Sequence, residues 1–426
     1  MWANRWLIFL MLCLVGQEWG LASSLPDRRR DQYPPNFGYF VYPIYIQIPG
    51  LGTAKGGGGT FVNVADSDTD LTAFYIDGDF YASGLTALNM HLIPQRLILD
   101  AAWYEYDVAF KFYERGVDSN RNKFIYPNVA GDGVTSQLTM TFFDKRLDFY
   151  SRLGEQNNKI KSVFDSTGDN RFQTADAREE TRQSMTLGMN IDLTDDRQDP
   201  RRGFRFEMNR KERLDDVDPV FSTFTVYDLN LSAYIPIGHK NTWVWNLFRS
   251  TTKIERQGST NFTELQGRFG FNCGSISDPV ASSSCENSEA QYINSIIANN
   301  RYGTANPLGG TQRLRSYPGN RYFAGETLFI GTEYRWNLTE EYTPMDIYIL
   351  RGHRTNMQLA FFAEAGSVAE TSSGLTDKLK YSYGLGFRML FEGTTLRADI
   401  AHGDEGTEMI LFIDYPFSLY SVDSPG

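Results

Sequence analysis

The sequence predicts an all-β protein, a sixteen-stranded antiparallel transmembrane β-barrel of the outer membrane. In Tyr381–Glu392 and Glu408–Phe417, apolar residues occupy alternate positions, and most positions between them are polar or glycine. Strand side chains alternate between two faces, so each segment has one apolar and one polar face. Strands of about ten residues with an apolar outer face and a polar lumen are typical of outer-membrane barrels. The mean hydropathy of −0.39 fits this class, because half of each strand faces water.

The amino terminus predicts export from the cytoplasm. Arg5 precedes an apolar core at Trp6–Val15, and small residues follow it, as in a signal peptide covering residues 1–24. This core is too short to span a bilayer, since a transmembrane helix needs about 20 apolar residues. The expected location is therefore the outer membrane of a Gram-negative-type bacterium, with the lipid bilayer as a partner.

The mature chain is expected to have three parts. A short periplasmic segment covers 25–55, the barrel covers 56–417, and a carboxy-terminal tail covers 418–426. The predicted strands are 56–65, 70–80, 84–93, 96–104, 107–115, 134–143, 146–154, 184–194, 203–213, 222–236, 242–255, 326–337, 356–368, 380–392, 394–402 and 407–417.

The connection lengths agree with this strand order. In a barrel with both ends in the periplasm, connections from odd to even strands face outward and can be long. The longest connections follow strands five, seven and eleven, at 116–133, 155–183 and 256–325. The segment 338–355 is an exception, because it is long for a periplasmic turn.

Composition excludes several classes of function. The net charge is −11, so the chain has no basic footprint for nucleic acid. The four histidines are scattered, and no Gly-x-Ser-x-Gly motif is present. We therefore expect no enzymatic activity, no cofactor and no metal site.

Two cysteines lie in the longest connection. Removal of the signal peptide also removes Cys13, which leaves Cys273 and Cys285 in a segment rich in Ser and Asn. In an exported protein such a pair predicts a loop disulfide. The alternative is two free thiols.

The same connection carries an arginine whose natural partners are carboxylates inside the barrel. Arg315 follows two glycines, and strand parity places Glu333 and Glu364 on the inward face. An arginine and a carboxylate in a confined lumen can form a bidentate pair. The alternative is a mobile outer loop whose charges meet only water.

Four motifs give the carboxy-terminal half a resemblance to the BamA/TamA barrel superfamily, also called the bacterial surface antigen family. Leu314–Tyr317 resembles the Arg-Gly-Phe/Tyr tip of that family's sixth outer loop, and Phe362–Gly366 resembles its Phe-x-Asp/Glu-x-Gly strand motif. Asp196–Gly203 is similar to its Asp-Arg-Asp…Pro…Gly turn, and Glu333–Arg335 to its Glu-x-Arg strand. The resemblance covers about 185–417.

The resemblance implies a sixth loop folded into the lumen and docked on the wall. The implied docking residues are Arg315, Tyr317, Glu333, Arg335, Phe362, Glu364 and Gly366. The implied function is insertion, assembly or translocation of proteins, or of lipids, at the outer membrane. The alternative is a passive pore or a structural barrel.

The sequence departs from the family pattern at two points. The tip glycine is Ser316 here, so a different turn is expected. The segment before the first predicted strand has no room for a periplasmic POTRA domain, so a separate periplasmic or outer-membrane partner is expected to recruit client proteins.

The first predicted strand suggests how a barrel of this kind could open. Gly56–Ala65 is rich in glycine and would close the barrel against Glu408–Phe417. Glycines pack poorly and cost backbone entropy, so this seam would be the weakest part of the wall. In the resembled family the seam opens sideways to admit a client strand. The alternative is that these glycines only relieve crowding.

Overall fold

The structure is a computed structural model. It describes residues 37–166, 171–172, 179–197, 199–214, 218–339, 343–347, 350–391 and 394–417. The expected signal peptide and the expected tail at 418–426 lie outside the described residues.

The described chain forms one closed antiparallel sheet with sixteen wall strands, as the sequence predicted. Each strand pairs with its neighbours in the chain, and the last returns to the first. The strands are β1 Gly38–Ile48, β2 Gly52–Val64, β3 Thr69–Gly78, β4 Tyr81–Ile93, β5 Leu97–Ala109, β6 Phe124–Phe142, β7 Leu147–Phe164, β8 Glu179–Asp192, β9 Gly203–Arg213, β10 Thr223–Ile237, β11 Asn241–Arg256, β12 Glu326–Asn337, β13 Leu350–Ala369, β14 Lys380–Phe391, β15 Thr394–Gly403 and β16 Gly406–Ile413. Short strands at Phe112–Tyr113, Arg171–Phe172 and Thr343–Ile347 pair with the ends of longer ones.

The predicted beginning of the wall is wrong. The barrel starts at Gly38, inside the expected periplasmic segment 25–55, and the strand predicted at 56–65 is β2. β1 was missed because it is apolar on both faces: Val41 and Tyr45 point outward, while Ile44 is buried. Periodicity cannot identify a strand that does not alternate.

A second error compensated for the first, so the predicted number of strands is still correct. The segments 96–104 and 107–115 were predicted as two strands, but Leu97–Ala109 is one continuous strand. Phe112–Tyr113 is a separate short strand that pairs with Phe124 and Ile125.

The two faces of the wall have opposite polarity. On β14 the outward Tyr383 and Leu385 are exposed, whereas the inward Ser382 and Arg388 are buried. This is the arrangement in which apolar side chains meet lipid and polar side chains meet the lumen. Within the described residues, no helix is both long and apolar enough to cross a membrane.

Inward-facing glycines make room for aromatic rings of neighbouring strands. A Cβ on Gly58 would lie 3.0 Å from the ring of Tyr42, and one on Gly133 would lie 2.6 Å from the ring of Tyr104. The ring of Tyr42 on β1 therefore packs over the glycine run of β2. These contacts support the interpretation that the run relieves crowding.

The connections divide the barrel into two ends. Connections from even to odd strands are mostly tight turns, and we call this the turn end. The long connections lie at the other end, the long-loop end, where 110–123 follows β5, 165–178 follows β7 and 257–325 follows β11. The predicted bounds were wrong because β6 and β7 extend well beyond the predicted strands 134–143 and 146–154.

The unusually long turn predicted at 338–355 has a simple explanation. β13 begins at Leu350, and Thr343–Ile347 pairs back on it as a short hairpin. Strand structure therefore occupies much of the segment expected to be a loop.

Replacement of Gly384 by Ala should destabilise the barrel. A Cβ there would lie 2.1 Å from the carbonyl oxygen of Ile400 and 2.7 Å from the ring of Phe362. Overpacking of this kind costs about 1–3 kcal/mol, which urea unfolding in lipid vesicles would measure. Gly267→Ala, at an open helical position, is the matched control. Equal stability of the two variants would contradict close packing at Gly384.

Candidate functional site

The connection between β11 and β12 has two parts. The first holds two helices, α1 Phe262–Phe269 and α2 Pro279–Tyr302, and we call it the cap. The second, residues 303–325, runs back to β12 and carries the segment Leu308–Tyr317, which we call the tip.

A disulfide links two parts of the cap, and hydrogen bonds link the cap to the connection between β9 and β10. Cys273 and Cys285 form a disulfide between the short helix after α1 and α2. On α2, the amide of Asn300 donates to the carbonyls of Val220 and Ser259 at 2.8 and 2.7 Å, and the backbone N–H of Ser222 donates back to Asn300 at 3.0 Å. The cap is thereby fixed over the long-loop end.

The tip is a compact turn. Gly309 and Gly310 have φ values of 108° and 99°, which suit glycine, and Leu314 adopts φ 51°. The N–H of Gly309 donates to the carbonyl of Arg313, and the N–H of Gly310 donates to that of Tyr317. These bonds present Arg315 at the end of the turn.

Arg315 contacts carboxylates from three wall strands. Its Nε donates to Glu364 of β13 at 2.8 Å, and its backbone N–H reaches the other oxygen of Glu364 at 2.8 Å. Its Nη1 lies 3.0 Å from Glu333 of β12 and 2.9 Å from Asp399 of β15. All four side chains are fully buried. We call these four residues the anchor.

Three wall arginines surround the anchor. Arg388 bonds both Glu333, at 3.0 Å, and Asp399. Arg335 donates to Glu333 at 2.9 Å, and Arg397 donates to the carbonyl of Thr311 in the tip at 2.6 Å. Buried charges are costly unless they are paired, so removal of one member leaves another uncompensated. The anchor is therefore specific to one position of the tip.

Burial alone lowers the pKa of Arg315. The carboxylates of Glu364, Asp399 and Glu333 outweigh this effect and raise the pKa above its ordinary value. The guanidinium therefore stays charged throughout the physiological pH range.

The other predicted docking residues lie around the anchor. The ring of Phe362 lies 3.5 Å from the guanidinium carbon of Arg315. A Cβ on Gly366 would lie 2.7 Å from Leu308 of the tip. The hydroxyl of Tyr317 donates to the carbonyl of Tyr381 at 3.1 Å, and burial raises the pKa of Tyr317 to about 12.

Ser316 fits a glycine of the wall. The residue with a positive φ next to Arg315 is Leu314, not Ser316, and the N–H of Ser316 donates to the hydroxyl of Ser382 at 3.0 Å. A Cβ on Gly403 would lie 2.3 Å from the hydroxyl of Ser316. The wall glycine thus provides the space that a serine at the tip requires.

The structure adds partners that the motifs did not identify. Arg388, Arg397 and Asp399 belong to the cluster, and their inward parity on neighbouring strands was the available signal. Arg321 makes a second contact, with Glu405 of the β15–β16 turn at 2.6 Å. No family motif pointed to Arg321.

The seam between the first and last strands is short. β1 pairs with β2 along its whole length, Gly38–Ile48. Within the described residues, its pairing with β16 is the single residue pair Gln47 and Leu411. The seam predicted at Gly56–Ala65 is therefore wrong by one strand, and the glycine run does not form it.

The site described here is a cluster of paired charges. In the part of the chain that the structure describes, no group of three or more His, Cys, Asp or Glu side chains could hold a metal ion. The charged groups of the anchor bond one another, so the arrangement fixes a loop.

Comparisons with known proteins agree with the architecture. A family model described as the Omp85 superfamily domain matches residues 62–406. The structure is similar to BamA from Haemophilus ducreyi lacking POTRA domains 1-3, with 12% identity and a TM-score of 0.51 over 89% of this chain and 70% of that one. It is also similar to CdiB from Escherichia coli, with 10% identity and a TM-score of 0.53 over 89% of this chain and 63% of that one. No curated protein matches the chain.

These similarities show a shared fold. The chain spans less than two thirds of the length of the solved CdiB chain. The activities and partners of those proteins therefore do not follow from the shared fold.

Replacement of Arg315 by Ala should release the tip. The variant leaves Glu333, Glu364 and Asp399 without their shared cation, and breaking a buried ion pair costs about 3–5 kcal/mol. We expect a lower free energy of unfolding and faster proteolysis within 303–325. Arg301→Ala, at an exposed position on α2, should stay within about 0.5 kcal/mol of the unsubstituted protein. Proteolysis at the same rate in both variants would contradict docking through Arg315.

Proposed function

Because the chain belongs to the Omp85 superfamily, we propose that it inserts, assembles or translocates proteins at the outer membrane. The short seam beside β1 supports this proposal most strongly. A strand edge with few partners presents unpaired N–H and C=O groups, which a strand of another protein can pair with. Within the described residues, Gln47 of β1 is the one residue in register with β16, opposite Leu411.

In this proposal the client strand enters through the wall. The outward face of β1 is apolar, with Tyr39, Val41 and Tyr45 exposed. A client strand paired with β1 can therefore alternate apolar side chains toward lipid and polar side chains toward the lumen. The edge of β1 therefore sets both the register and the orientation of the client strand.

The tip has a conformational role in the proposal. Docked through Arg315, Tyr317, Glu333, Arg335, Phe362, Glu364 and Gly366, it occupies the lumen and joins β12, β13 and β15. A rigid carboxy-terminal half then provides the fixed side of the seam, and β1 to β4 provide the side that moves. The cap, held by Cys273 and Cys285, covers the long-loop end.

The setting of this activity is the outer membrane of a Gram-negative-type bacterium. The exposed apolar outer wall supports contact with its lipid. Client proteins pair at the seam, and a separate periplasmic or outer-membrane protein delivers them. Movement of lipid along the same route is the second form of the activity.

A disulfide across the seam should abolish client insertion. The pairing of Gln47 with Leu411 places Tyr45 opposite Ile413, so we would join these positions as Tyr45→Cys and Ile413→Cys. The assay is folding of an unfolded barrel client into vesicles that contain the protein. We expect the oxidised variant to lose insertion and the reduced variant to recover it.

Two controls make this result specific. Thr60→Cys with Thr72→Cys joins β2 to β3 at hydroxyls 3.0 Å apart and leaves the seam free, so insertion should continue. The unsubstituted protein with reductant reports the effect of opening the native disulfide. Undiminished insertion by the locked seam would reject lateral entry, and a large steady conductance in planar bilayers would indicate a passive pore instead.

A further inference from the structure

An open pocket lies at the long-loop end of the barrel, where β14, β15 and β16 meet the loops. Its volume of about 420 Å³ is in the usual range for small-molecule sites. Tyr381 and Tyr383 of β14, His402 of β15, Asp404 and Arg121 line it. None of these five residues belongs to the anchor.

The strand residues of this pocket face outward. Tyr381 and Tyr383 are more than half exposed, as is Leu385 on the same face, whereas Ser382 between them is buried. His402 pairs with Tyr383, and the two rings meet edge to face with centroids 5.5 Å apart. Aromatic rings at the ends of membrane strands lie at the level of the lipid headgroups. The pocket therefore opens where the apolar wall meets the headgroups.

The connection 110–123, which we call the strap, brings a cation to the pocket. Arg321 fixes the strap, because it donates to the hydroxyl and to the carbonyl of Ser119, both at 2.7 Å. Arg121 lies two residues further along, is exposed, and donates to the carbonyl of Glu405. Among the described residues its guanidinium has no other hydrogen bond, so further N–H donors remain for a ligand.

The pocket also contains a carboxylate. Glu405 is not suited to a ligand, because its carboxylate already accepts from Arg321 at 2.6 Å and from the hydroxyl of Tyr322 at 3.1 Å. Asp404 is exposed, and no side chain in the described part of the chain bonds its carboxylate. The pocket therefore presents one cation and one carboxylate to a ligand.

A ligand that matches both groups has an anion and a cation of its own. Arginine binds phosphate through several N–H groups at once, and a carboxylate accepts hydrogen bonds from an ammonium group. A headgroup that is only anionic would be repelled by Asp404. The charges of the pocket thus favour a zwitterionic headgroup.

Apolar surface continues from the pocket along the outer wall. Leu385, Ile400 and Met409 lie on the outward faces of β14, β15 and β16, and close to half of each side chain is exposed. A molecule whose headgroup fills the pocket can lay acyl chains along these residues. This continuity favours a membrane lipid over a soluble solute.

We propose that this pocket binds a membrane lipid whose headgroup carries a phosphate and a primary amine, as phosphatidylethanolamine does. Arg121 binds the phosphate, Asp404 binds the ammonium group, and the rings of Tyr381 and Tyr383 pack against the glycerol region. The bound lipid holds the strap at the membrane surface. This site does not depend on client insertion at the seam.

Native mass spectrometry of the full chain, released from nanodiscs, tests the site. The nanodiscs contain equal amounts of phosphatidylethanolamine and phosphatidylglycerol, which has the phosphate but no amine. We expect the released protein to retain about tenfold more phosphatidylethanolamine, because only its ammonium group can bond Asp404. Equal retention of the two lipids would overturn the proposal.

Two substitutions assign the selection to this pocket. Arg121→Gln should lower the retention of phosphatidylethanolamine about tenfold, and Asp404→Asn should remove the preference for the amine. Both positions are exposed, so the barrel should still fold. The matched controls are Lys123→Gln, an exposed cation of the strap, and Asp377→Asn, an exposed carboxylate between β13 and β14. A preference that survives in both test variants would overturn the assignment.

Soluble phosphoethanolamine distinguishes a lipid from a free headgroup. It has the same phosphate and amine but no acyl chains, so at an equal concentration it should leave the bound lipid in place. Displacement of the lipid by the soluble compound would show a site for a soluble ligand and would overturn the assignment to a lipid.

Discussion

Arg315 holds the tip against the barrel wall through a buried contact with Glu333, Glu364 and Asp399. It joins the tip to three strands of the carboxy-terminal half. The guanidinium carbon of Arg315 also lies 5.5 Å from the ring centroid of Phe417. Such a cluster contributes little net stability compared with apolar packing, because desolvation offsets attraction. Its value is specificity, since any other position of the tip leaves charges buried without partners.

Two regions of the wall differ in the side chains that line the lumen. From β12 to β15, charged inward side chains and the tip hold neighbouring strands in one arrangement. From β1 to β4, inward residues such as Ile44 and Ile76 are apolar, and aromatic rings pack over glycines such as Gly58 and Gly84. The seam lies between β1 and β16, where the described part of the chain has a single residue pair. Separation of β1 from β16 therefore breaks few backbone hydrogen bonds.

Alternation was enough to predict the barrel, because lipid on one side and a polar lumen on the other impose a period of two. It failed at β1, where both faces are apolar. It also failed at the end of the wall, because the strand predicted at 407–417 ends at Ile413. Tyr415 and Phe417 instead bond inward-facing side chains. The family motifs pointed to Arg315, Glu333 and Glu364. They did not point to Asp399 or Arg388, whose roles depend on which strands the tip reaches. The helices of the cap were also missed, because a Ser- and Asn-rich segment carries little apolar periodicity.

Hydrogen exchange at the tip, in lipid nanodiscs, measures whether Arg315 holds the tip against the wall. The backbone N–H groups of Arg315, Ser316 and Tyr317 donate to Glu364, Ser382 and Leu314. We expect these three amides to exchange as slowly as the strand amides of β13. Exchange as fast as in an unstructured chain would show that the tip is not docked on the wall.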